Sequence, residues 1–387
     1  MHVFMSAGEP SGDLHGANLI RAILAADPTA KIVGFGGEKM RAAGQDVHYP
    51  LAQHSVMWVF DVLKQIRFFR ELLDKAHEYL KTHRPDVVVM IDYPGFHWKL
   101  AEQAKEEGIP VVYFVPPQIW AWRQGRVKKM KKLLTHVLSA LPFEHDWFTR
   151  RGVPSTYIGH PYFDELASQK LDDAFMAVER AKPGRVVGIL PGSRNSEIRK
   201  NAPEMLRAAR KIHAANPNTR FMVAAFNDQQ AEAVRELIAP WKMPAEVFVG
   251  RTPEIIELSE CCISVSGSVS LEMMWRRKPA VVIYRLKRYE WRIGRHFKIV
   301  PFISLVNLLA SEELYPEFLV ASDPSKKVAA RITEWLSNPE QIAAIKSRLT
   351  QLCNEVAKPG ACELAAKFLI ERYQVAKQPG PTFDRRL

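Results

Sequence analysis

The sequence contains no apolar segment long enough to cross a bilayer, since every hydrophobic run stops short of the roughly 18 uncharged residues that a spanning helix needs. The first run, from Met1 to Met5, is also too short for the core of a signal peptide and follows no basic segment. Only four cysteines are present, and they form no CxxC pair. This scarcity argues against a zinc site or a disulfide framework and favours buried thiols. We therefore expect a cytoplasmic protein.

Acidic residues are in the minority, and the formal net charge is +12. Positive charge is concentrated in two runs, one from Arg123 to Lys132 and one from Arg276 to Lys298. Such runs suit nucleic acid, anionic lipid or phosphorylated substrates, and charge alone does not choose among these partners. Two local runs indicate particular binding sites more than a uniformly basic surface.

Length and hydrophobic pattern indicate an α/β fold with two domains. A chain of 387 residues exceeds one ordinary core. Short apolar runs rich in β-branched residues alternate with amphipathic helical segments, which is typical of parallel sheets covered by helices on both faces. The predicted strands form two series: 2–6, 31–34, 87–91, 111–114, 136–140 and 156–158, then 185–190, 220–224, 245–249, 261–265 and 280–284. A polar stretch ending at Pro183 and Gly184 separates the series.

The sequence PGSR follows the first predicted strand of the second series. Free N–H groups around Gly192 and Ser193 are suited to an anion, and the guanidinium of Arg194 matches the geometry of phosphate oxygens. The order of strand, glycine turn and arginine predicts a phosphate site. The alternative is a plain turn with an arginine in solvent.

The sequence SGSVSLE follows the strand predicted at 261–265. Ser266, Gly267 and Ser268 are small enough for a ligand to approach the backbone at a helix start. Glu272 lies one helical turn beyond Ser268, where a carboxylate could hold the vicinal hydroxyls of a ribose. A capped helix with a solvated glutamate explains this motif equally well when it is taken alone.

Two acidic loops follow predicted strands of the first series. The opening sequence SAGEPSGD has the strand, small-residue turn and helix of a phosphate-binding loop, yet Glu9 and Asp13 would repel a phosphate. Asp92 ends the buried run VVVMI, just before Pro94 and Gly95 break the chain. An aspartate at a strand end is a general-base candidate, and an Asx turn or helix cap is the alternative.

Aromatic residues cluster in two further segments. In PQIWAW, Trp120 and Trp122 precede a basic helix, where they could stack a base, contact a lipid interface or fill a core. The segment HSVMWVFDVLKQIRFFRELLDK is amphipathic and carries more aromatics than a core helix needs, although a core helix remains the alternative. Its predicted membrane-facing residues are Val56, Met57, Trp58, Val59, Phe60, Phe68 and Phe69.

Taken together, these motifs resemble those of the lipid A disaccharide synthase family. The resemblance runs in order through SAGEPSGDLHGANLI, IDYPGF, PQIWAWRQGRVKK, LPFE, YIGHP, LPGSR, SGSVSLE and SLVNLLA, over most of residues 1 to 320. It implies a GT-B-like architecture of two Rossmann-like domains facing a cleft. It further implies an acceptor and membrane-facing domain over 1–170, a UDP-sugar-binding domain over 183–340, and terminal helices over 341–376 that pack back towards the first domain.

The resemblance also implies the reaction. UDP-2,3-diacylglucosamine would donate its sugar, with inversion, to the 6-hydroxyl of 2,3-diacylglucosamine 1-phosphate (lipid X), giving a disaccharide 1-phosphate and UDP. Neither a cofactor nor a metal is expected. The implied location is the cytoplasmic surface of the inner membrane, with peripheral attachment and no nucleic-acid partner. The basic, aromatic surface is equally compatible with a homodimer.

The residue roles come from the same resemblance. Ser11, Gly12 and Asp13 match the family's acceptor loop, with Glu9 beside them. Arg194, Glu272 and Asn307 are expected on the donor side. Many family members read Ile-Asp-x-Pro-Asp-Phe, and their second aspartate is the usual candidate for the base, whereas this chain has Gly95 there. We therefore expect Asp92 to be the base, with Asp13 as the second candidate.

Two other functions stay open at the level of sequence. A UDP-sugar epimerase or hydrolase would need the same two domains and nucleotide loops but no interfacial helix. A basic peripheral membrane or nucleic-acid-binding protein would explain the charge but leave the paired phosphate loops unexplained. A dehydrogenase is disfavoured because no GxGxxG opens either half.

Overall fold

The computed structural model describes residues 1–54, 62–241, 243–285 and 301–374. The chain divides into two compact units. Unit 1 comprises Met1–Glu165 and Pro359–Leu387, and unit 2 comprises Leu166–Lys358. Each unit is built around one sheet.

Unit 1 contains a seven-stranded parallel sheet in the order β3-β2-β1-β4-β5-β6-β7. Its strands are β1 (His2–Ala7), β2 (Lys31–Phe35), β3 (Asp46–Tyr49), β4 (Val87–Ile91), β5 (Val111–Phe114), β6 (His136–Ser139) and β7 (Ser155–Tyr157). Its helices are α1 (Pro10–Ala26), α2 (Glu38–Ala42), α3 (Leu51–His54), α4 (Val62–His83), α5 (Pro94–Glu106), α6 (Ile119–Trp122), α7 (Val127–Leu133) and α8 (Pro142–Thr149). Helix α9 (Tyr162–Ser168) leads into unit 2.

Unit 2 contains a six-stranded parallel sheet in the order β10-β9-β8-β11-β12-β13. Its strands are β8 (Arg185–Leu190), β9 (Thr219–Ala225), β10 (Ala245–Val249), β11 (Cys261–Val265), β12 (Ala280–Arg285) and β13 (Glu317–Val320). Its helices are α10 (Asp173–Ala181), α11 (Asn195–Ala215), α12 (Asp228–Ile238), α13 (Thr252–Leu258), α14 (Val269–Trp275), α15 (Leu305–Ala310), α16 (Ser325–Ser337) and α17 (Pro339–Val356). The last helix of the chain, α18 (Ala361–Tyr373), belongs to unit 1.

The strand orders locate the functional loops. In each sheet the order reverses beside the first strand, between β1 and β4 in unit 1 and between β8 and β11 in unit 2. Ligands of open parallel sheets bind outside the carboxyl ends of the strands at such a switch point. The loops after these four strands are the ones that carry the predicted chemistry.

The strands form because their residues suit burial on both faces. All five residues of β4, VVVMI, are buried, and β-branched side chains pack well on a pleated surface. Helix α1 covers one face of the unit 1 sheet with Leu19, Ile20 and Ile23. Helix α11 does the same in unit 2, where Met205 and Leu206 are fully buried.

The end of the chain completes the core of unit 1. Helix α18 packs on α1 and contributes Leu369 to the same buried cluster. Asp164 holds the start of α18, because its carboxylate accepts N–H bonds from Gly360 (2.5 Å), Ala361 (3.2 Å) and Cys362 (2.8 Å). Helix α17 instead packs within unit 2, on α14 and α16.

The predicted α/β fold with two Rossmann-like sheets is confirmed. Two strands were not predicted, β3 and β13, and both are short strands at a sheet edge. Every helix among the described residues is too short or too polar to cross a membrane.

Candidate active site

Residues 8–13, called the β1–α1 loop below, comprise the turn after β1 and the first residues of α1. They contain the acidic sequence that was predicted to receive an acceptor. Helix α1 begins directly after Glu9, which is half-buried, and Ser11 is exposed. Gly12 is tightly packed, because a Cβ atom there would lie 3.3 Å from the nearest side-chain atom and 3.5 Å from a backbone oxygen of β4. The loop therefore presents small groups at the carboxyl end of β1, close to the end of β4.

Asp13 has a different environment from its neighbours in this loop. Its Oδ1 accepts N–H bonds from Gly37 (2.8 Å) and Met40 (3.0 Å), and its Oδ2 accepts one from Lys39 (3.1 Å). Asp13 is only 7% exposed and caps the N-terminus of α2. A carboxylate that accepts three backbone N–H bonds has a structural role, because it satisfies the free donors at a helix N-terminus.

Asp92 follows β4 directly and is half-buried. Asp92 and Tyr93 both have φ of 50°, the left-handed conformation that non-glycine residues seldom adopt. The carbonyl oxygen of Asp92 contacts His97 Nδ1 at 2.5 Å and accepts a hydrogen bond from the Tyr113 hydroxyl at 2.6 Å. The turn is thus strained and held by two buried side chains.

Tyr93, within this turn, is tightly packed, whereas Gly95, just after it, has open space around it. The Tyr93 ring lies over Gly8, where a Cβ atom would come within 2.2 Å of it, so the loops after β1 and β4 touch each other. At Gly95 a Cβ atom would meet nothing within 4 Å. The position of the family's second aspartate is therefore open and exposed.

Two aromatic residues of α4 that were predicted to face a membrane also contact the core of unit 1. They are Phe68 and Phe69, and both are half-buried against this core. Phe68 packs on Tyr49, with ring centroids 5.1 Å apart, and Phe69 packs on Phe96 and Tyr93 at 6.0 and 6.3 Å. The other predicted membrane-facing residues lie outside the described residues: Val56, Met57, Trp58, Val59 and Phe60.

Trp120 is a core residue, so the base-stacking alternative does not apply to it. It is 4% exposed, and its Nε1 donates to Glu144 Oε1 at 2.7 Å. Burial raises the pKa of Glu144 to about 7, although the Trp120 N–H opposes this shift. The PQIW and LPFE motifs are therefore joined by a buried hydrogen bond.

The PGSR loop of unit 2 already binds a carboxylate. The backbone N–H groups of Ser193 and Arg194 both point to Glu197 Oε2, at 3.0 and 3.3 Å. Gly192 has φ of 120°, and a Cβ atom there would lie 2.4 Å from the same oxygen. The Arg194 guanidinium, which is 64% exposed, lies 3.5 Å from Glu197 Oε1. The loop can thus hold an anion, and in this conformation Glu197 supplies it.

The SGS loop follows β11 and leads into α14. Gly267 has open space around it, and Ser266 Oγ donates to a backbone oxygen at 3.2 Å, while Ser268 precedes the helix. Glu272 lies within α14 and is 3% exposed. Its Oε1 lies 3.3 Å from Arg276 Nε, so a buried cation accompanies this carboxylate.

Asn307 is completely buried and uses its side-chain amide within the protein. Its Nδ2 donates to Tyr315 O (2.7 Å) and Glu317 Oε1 (2.8 Å), and its Oδ1 accepts from Tyr315 N (2.8 Å). These bonds tie α15 to the start of β13. Asn307 therefore orders this part of unit 2 from within.

The sequence alone did not identify the residues that hold the Asp92 turn after β4 and the PGSR loop after β8. His97, Tyr113 and Glu197 were not identified, although each left a signal in the sequence. Tyr113 is a polar tip inside the apolar run VVYF, and Glu197 lies three residues after Arg194, at the spacing of a capping box. His97 falls on the buried face of α5, where an apolar residue would be the usual choice.

Comparison with known proteins identifies the family. The family described as lipid-A-disaccharide synthetase matches residues 3–371. The lipid-A-disaccharide synthase of Trichlorobacter lovleyi is 34% identical over 93% of this chain and 94% of its own length, and that of Methylobacillus flagellatus is 33% identical over 94% and 97%. The UDP-GlcNAc 2-epimerase of Neisseria meningitidis, solved with UDP-GlcNAc bound, has a similar fold: the TM-score is 0.65 at 13% identity, over 96% of this chain and 100% of that one. The chain belongs to the lipid-A-disaccharide synthetase family.

Proposed function

We propose that this protein is an inverting glycosyltransferase that joins UDP-2,3-diacylglucosamine to lipid X. The products are a lipid A disaccharide 1-phosphate and UDP. The family match over residues 3–371 carries this proposal. The loops within each unit support it: those after β1 and β4 in unit 1 contain a candidate base, and those after β8 and β11 in unit 2 offer sites for a departing anion.

On the acceptor side, Asp92 takes the proton of the 6-hydroxyl as that oxygen attacks the anomeric carbon of the donor. A new carbon–oxygen bond forms on one face while the bond to the diphosphate breaks on the other, which inverts the anomeric centre. Glu9 and Ser11 lie in the loop that touches the Asp92 turn and accept hydrogen bonds from sugar hydroxyls. Asp13 contributes by holding α2 in place.

On the donor side, the leaving diphosphate gains negative charge as the bond breaks. The N–H groups of Ser193 and Arg194 and the Arg194 guanidinium stabilise that charge, as preorganised donors do in other transferases. Glu197 now occupies the two N–H groups, so the diphosphate has to displace its carboxylate. Glu272 is the proposed partner of the ribose hydroxyls, and Asn307 supports this region from the interior.

We further propose peripheral attachment to the cytoplasmic surface of the inner membrane. The support comes from α7 and the segment before it, where Arg123, Lys128, Lys131 and Lys132 are exposed. Cations near a membrane surface contribute about 1 kcal/mol each to binding of anionic lipid. Binding to vesicles of anionic lipid, compared with neutral vesicles and with the K128E/K131E/K132E variant, tests this attachment. Light scattering in detergent tests the homodimer.

A turnover assay tests the activity. Purified protein, UDP-2,3-diacylglucosamine and lipid X are mixed in detergent micelles with excess chelator, and mass spectrometry follows disaccharide and UDP. The proposal expects both products in equal amounts. A matched acceptor that lacks the 6-hydroxyl should give neither product, whereas a hydrolase would still release UDP from it.

The base is tested with Asp92→Asn beside Asp146→Asn, an exposed aspartate on α8. Removing a general base typically lowers the rate by about 10² to 10⁴. We expect that loss in kcat for Asp92→Asn and a rate close to wild type for Asp146→Asn. Full activity of Asp92→Asn would remove Asp92 from the mechanism while leaving the transfer reaction itself established.

A further inference from the structure

The Asp92–Tyr93 turn is the most strained backbone segment at the switch point of unit 1. Two consecutive non-glycine residues have φ of 50°. Each left-handed residue of this kind costs roughly 1 to 2 kcal/mol, so such a pair persists only where surrounding groups hold it. Strain of this kind collects at functional sites, which raises the question of what holds this turn.

The holding groups converge on one atom, the carbonyl oxygen of Asp92. His97 Nδ1 lies 2.5 Å from it and the Tyr113 hydroxyl lies 2.6 Å from it. A carbonyl oxygen can only accept, so the hydrogen-bond network assigns the ring proton of His97 to Nδ1. His97 Nε2 is then an acceptor, and it receives the hydroxyl of Ser6 at 2.9 Å. One neutral tautomer satisfies the whole arrangement.

This arrangement connects the two strands of the switch point. Ser6 belongs to β1, Asp92 directly follows β4, and the side chain of His97, on the next helix α5, contacts both residues. Ser6 and His97 are both completely buried. Burial lowers the pKa of His97 to about 4, against the opposing effect of the Asp92 carbonyl, so the ring is neutral throughout the physiological range.

A role in packing alone does not require this residue. An apolar side chain on the buried face of α5 would avoid the cost of burying two ring nitrogens, which only matched partners offset. Of the two partners of His97, the Asp92 carbonyl belongs to the strained turn, and the Ser6 hydroxyl matches the tautomer that donates to this carbonyl. The Asp92 side chain is attached to the Cα next to this carbonyl group. Fixing the carbonyl group therefore also fixes the direction in which the Asp92 carboxylate leaves the backbone.

We propose that His97 is a positioning residue for the transfer reaction, which sets the direction of the Asp92 carboxylate by donating from Nδ1 to the Asp92 carbonyl. Tyr113 is the second donor in the same role, and Ser6 fixes the tautomer. The inference rests on the proposed function of Asp92 as the base. A change at His97 should therefore affect the chemical step and leave the binding of UDP in unit 2 untouched.

The test compares His97→Asn with His97→Leu. The asparagine amide nitrogen can reach about where Nδ1 lies and still donate to the carbonyl, whereas leucine keeps the volume and removes the donor. We expect His97→Leu to lower kcat by about 10²-fold, while KM and the affinity for UDP stay within about threefold of wild type. The reason is that the lost hydrogen bond affects the geometry of the reacting groups and not the binding of substrate. His97→Asn should restore kcat to within about fivefold of wild type.

Tyr113→Phe provides a second variant in case His97→Leu does not fold, because it removes one hydroxyl and keeps the ring. We expect it to lower kcat by about five- to tenfold, while the loss of one buried hydrogen bond, about 1 kcal/mol, lowers the thermal midpoint only slightly. His136→Asn, a buried histidine on β6 away from the turn, is the matched control for general destabilisation and should keep wild-type kcat.

Three outcomes would overturn the inference. They are a kcat of His97→Leu within about threefold of wild type, an equal loss of kcat in His97→Asn and His97→Leu, and a parallel rise in KM. The measurement with Asp92→Asn separates this inference from the proposed function. If Asp92→Asn is inactive while His97→Leu is active, only the role of His97 is wrong. If Asp92→Asn keeps its activity, disaccharide formation stands and both the base assignment and the role of His97 are wrong.

Discussion

The two units have similar sheets but hold their buried carboxylates with different sets of partners. In unit 2, buried carboxylates are paired with arginine: Glu179 with Arg220 at 2.8 Å and Glu272 with Arg276 at 3.3 Å. In unit 1, Asp13 is held by backbone N–H groups and Glu144 accepts from the Trp120 N–H, while Asp27 pairs with the N-terminal ammonium at 2.8 Å. The buried histidines of the described residues also lie in unit 1, and the local environments there favour neutral rings.

This difference bears on the chemistry proposed for the two units. In unit 2, the proposed donor unit, arginine side chains neutralise buried carboxylates such as Glu179 and Glu272. In unit 1, the proposed acceptor unit, Asp13 is held by neutral backbone donors. A cation beside a carboxylate lowers its pKa and makes it a weaker base, so neutral donors are the better neighbours for a base.

The largest difference between the two units is expected in their loss of stability at acidic pH. The pKa values of His15 and His97 are lowered by burial to about 4, and that of His160 to about 3, from about 6.5 in the unfolded chain. The unfolded state then binds more protons between pH 6.5 and 4. The stability that these groups contribute is full above pH 6.5 and is lost as the pH falls towards 4, by about 3 kcal/mol for His97 alone.

Hydrogen exchange with mass spectrometry at pH 7.5, 6 and 4.5 measures this loss. We expect peptides of β1, β4 and α5 to lose protection first, while peptides of β8 and β11 stay protected. Equal loss in both units would show that the buried histidines do not control the acid response.

The next largest effect is expected at Asp13. Replacing Asp13 with alanine leaves the N–H groups of Gly37, Lys39 and Met40 without their acceptor, and we expect unit 1 to lose about 2 to 4 kcal/mol of stability. Asn227→Ala removes a single cap bond in unit 2 (2.9 Å to Gln230 N) and should cost about 1 kcal/mol. Urea unfolding of both variants measures the difference, and equal losses would contradict the structural role of Asp13.

Glu197 tests whether the PGSR loop carries an exchangeable anion. Glu197→Gln removes the charge that a diphosphate has to displace, so we expect UDP to bind about three- to tenfold more tightly. The thermal midpoint should fall only slightly, because the amide oxygen can still accept from Ser193 and Arg194. Calorimetric titration with UDP is the measurement, and a weaker affinity would mean that the Glu197 charge organises the loop for its ligand.

The smallest effect is expected at Gly95. This residue lies in the first turn of α5 with open space around it, so Gly95→Asp introduces the family's usual residue without a clash. The substitution removes a glycine from a helix and adds a carboxylate near the helix N-terminus. Together these two changes should stabilise unit 1 by about 0.5 to 1 kcal/mol. If Asp92 is the base, kcat should stay within about threefold of wild type. A much larger kcat would assign the chemistry to position 95.

Sequence predicted the parts of the molecule that depend on local pattern. The cores of β1, β4, β8 and β11 were located because apolar runs between turns leave little choice, and their order along the chain implied which loops lie at the carboxyl ends. The edge strands β3 and β13 escaped because they are short and only partly buried.

The roles of individual side chains depended on partners far away in the chain. Asp13 finds its partners 24 to 27 residues later, and Ser6 meets His97 across 91 residues. A pattern in one segment carries no information about such pairs. Phe69 shows the same limit, because its packing on the rings of Phe96 and Tyr93 could not be read from the aromatic pattern of its own segment.

The hydrogen bonds between Asp164 and the start of α18 affect how the chain folds while it is being synthesised. A ribosome releases the chain from its N-terminus, at roughly 5 to 20 residues per second, and most first domains can fold while the second is still being made. Here the buried cluster that contains Ile20 also requires Ala365 and Leu369. Unit 1 therefore cannot complete its core until nearly the whole chain has left the ribosome, and one face of α1 stays uncovered until then. A nascent chain that ends before Pro359 would expose that apolar surface and become a substrate for chaperones or proteases.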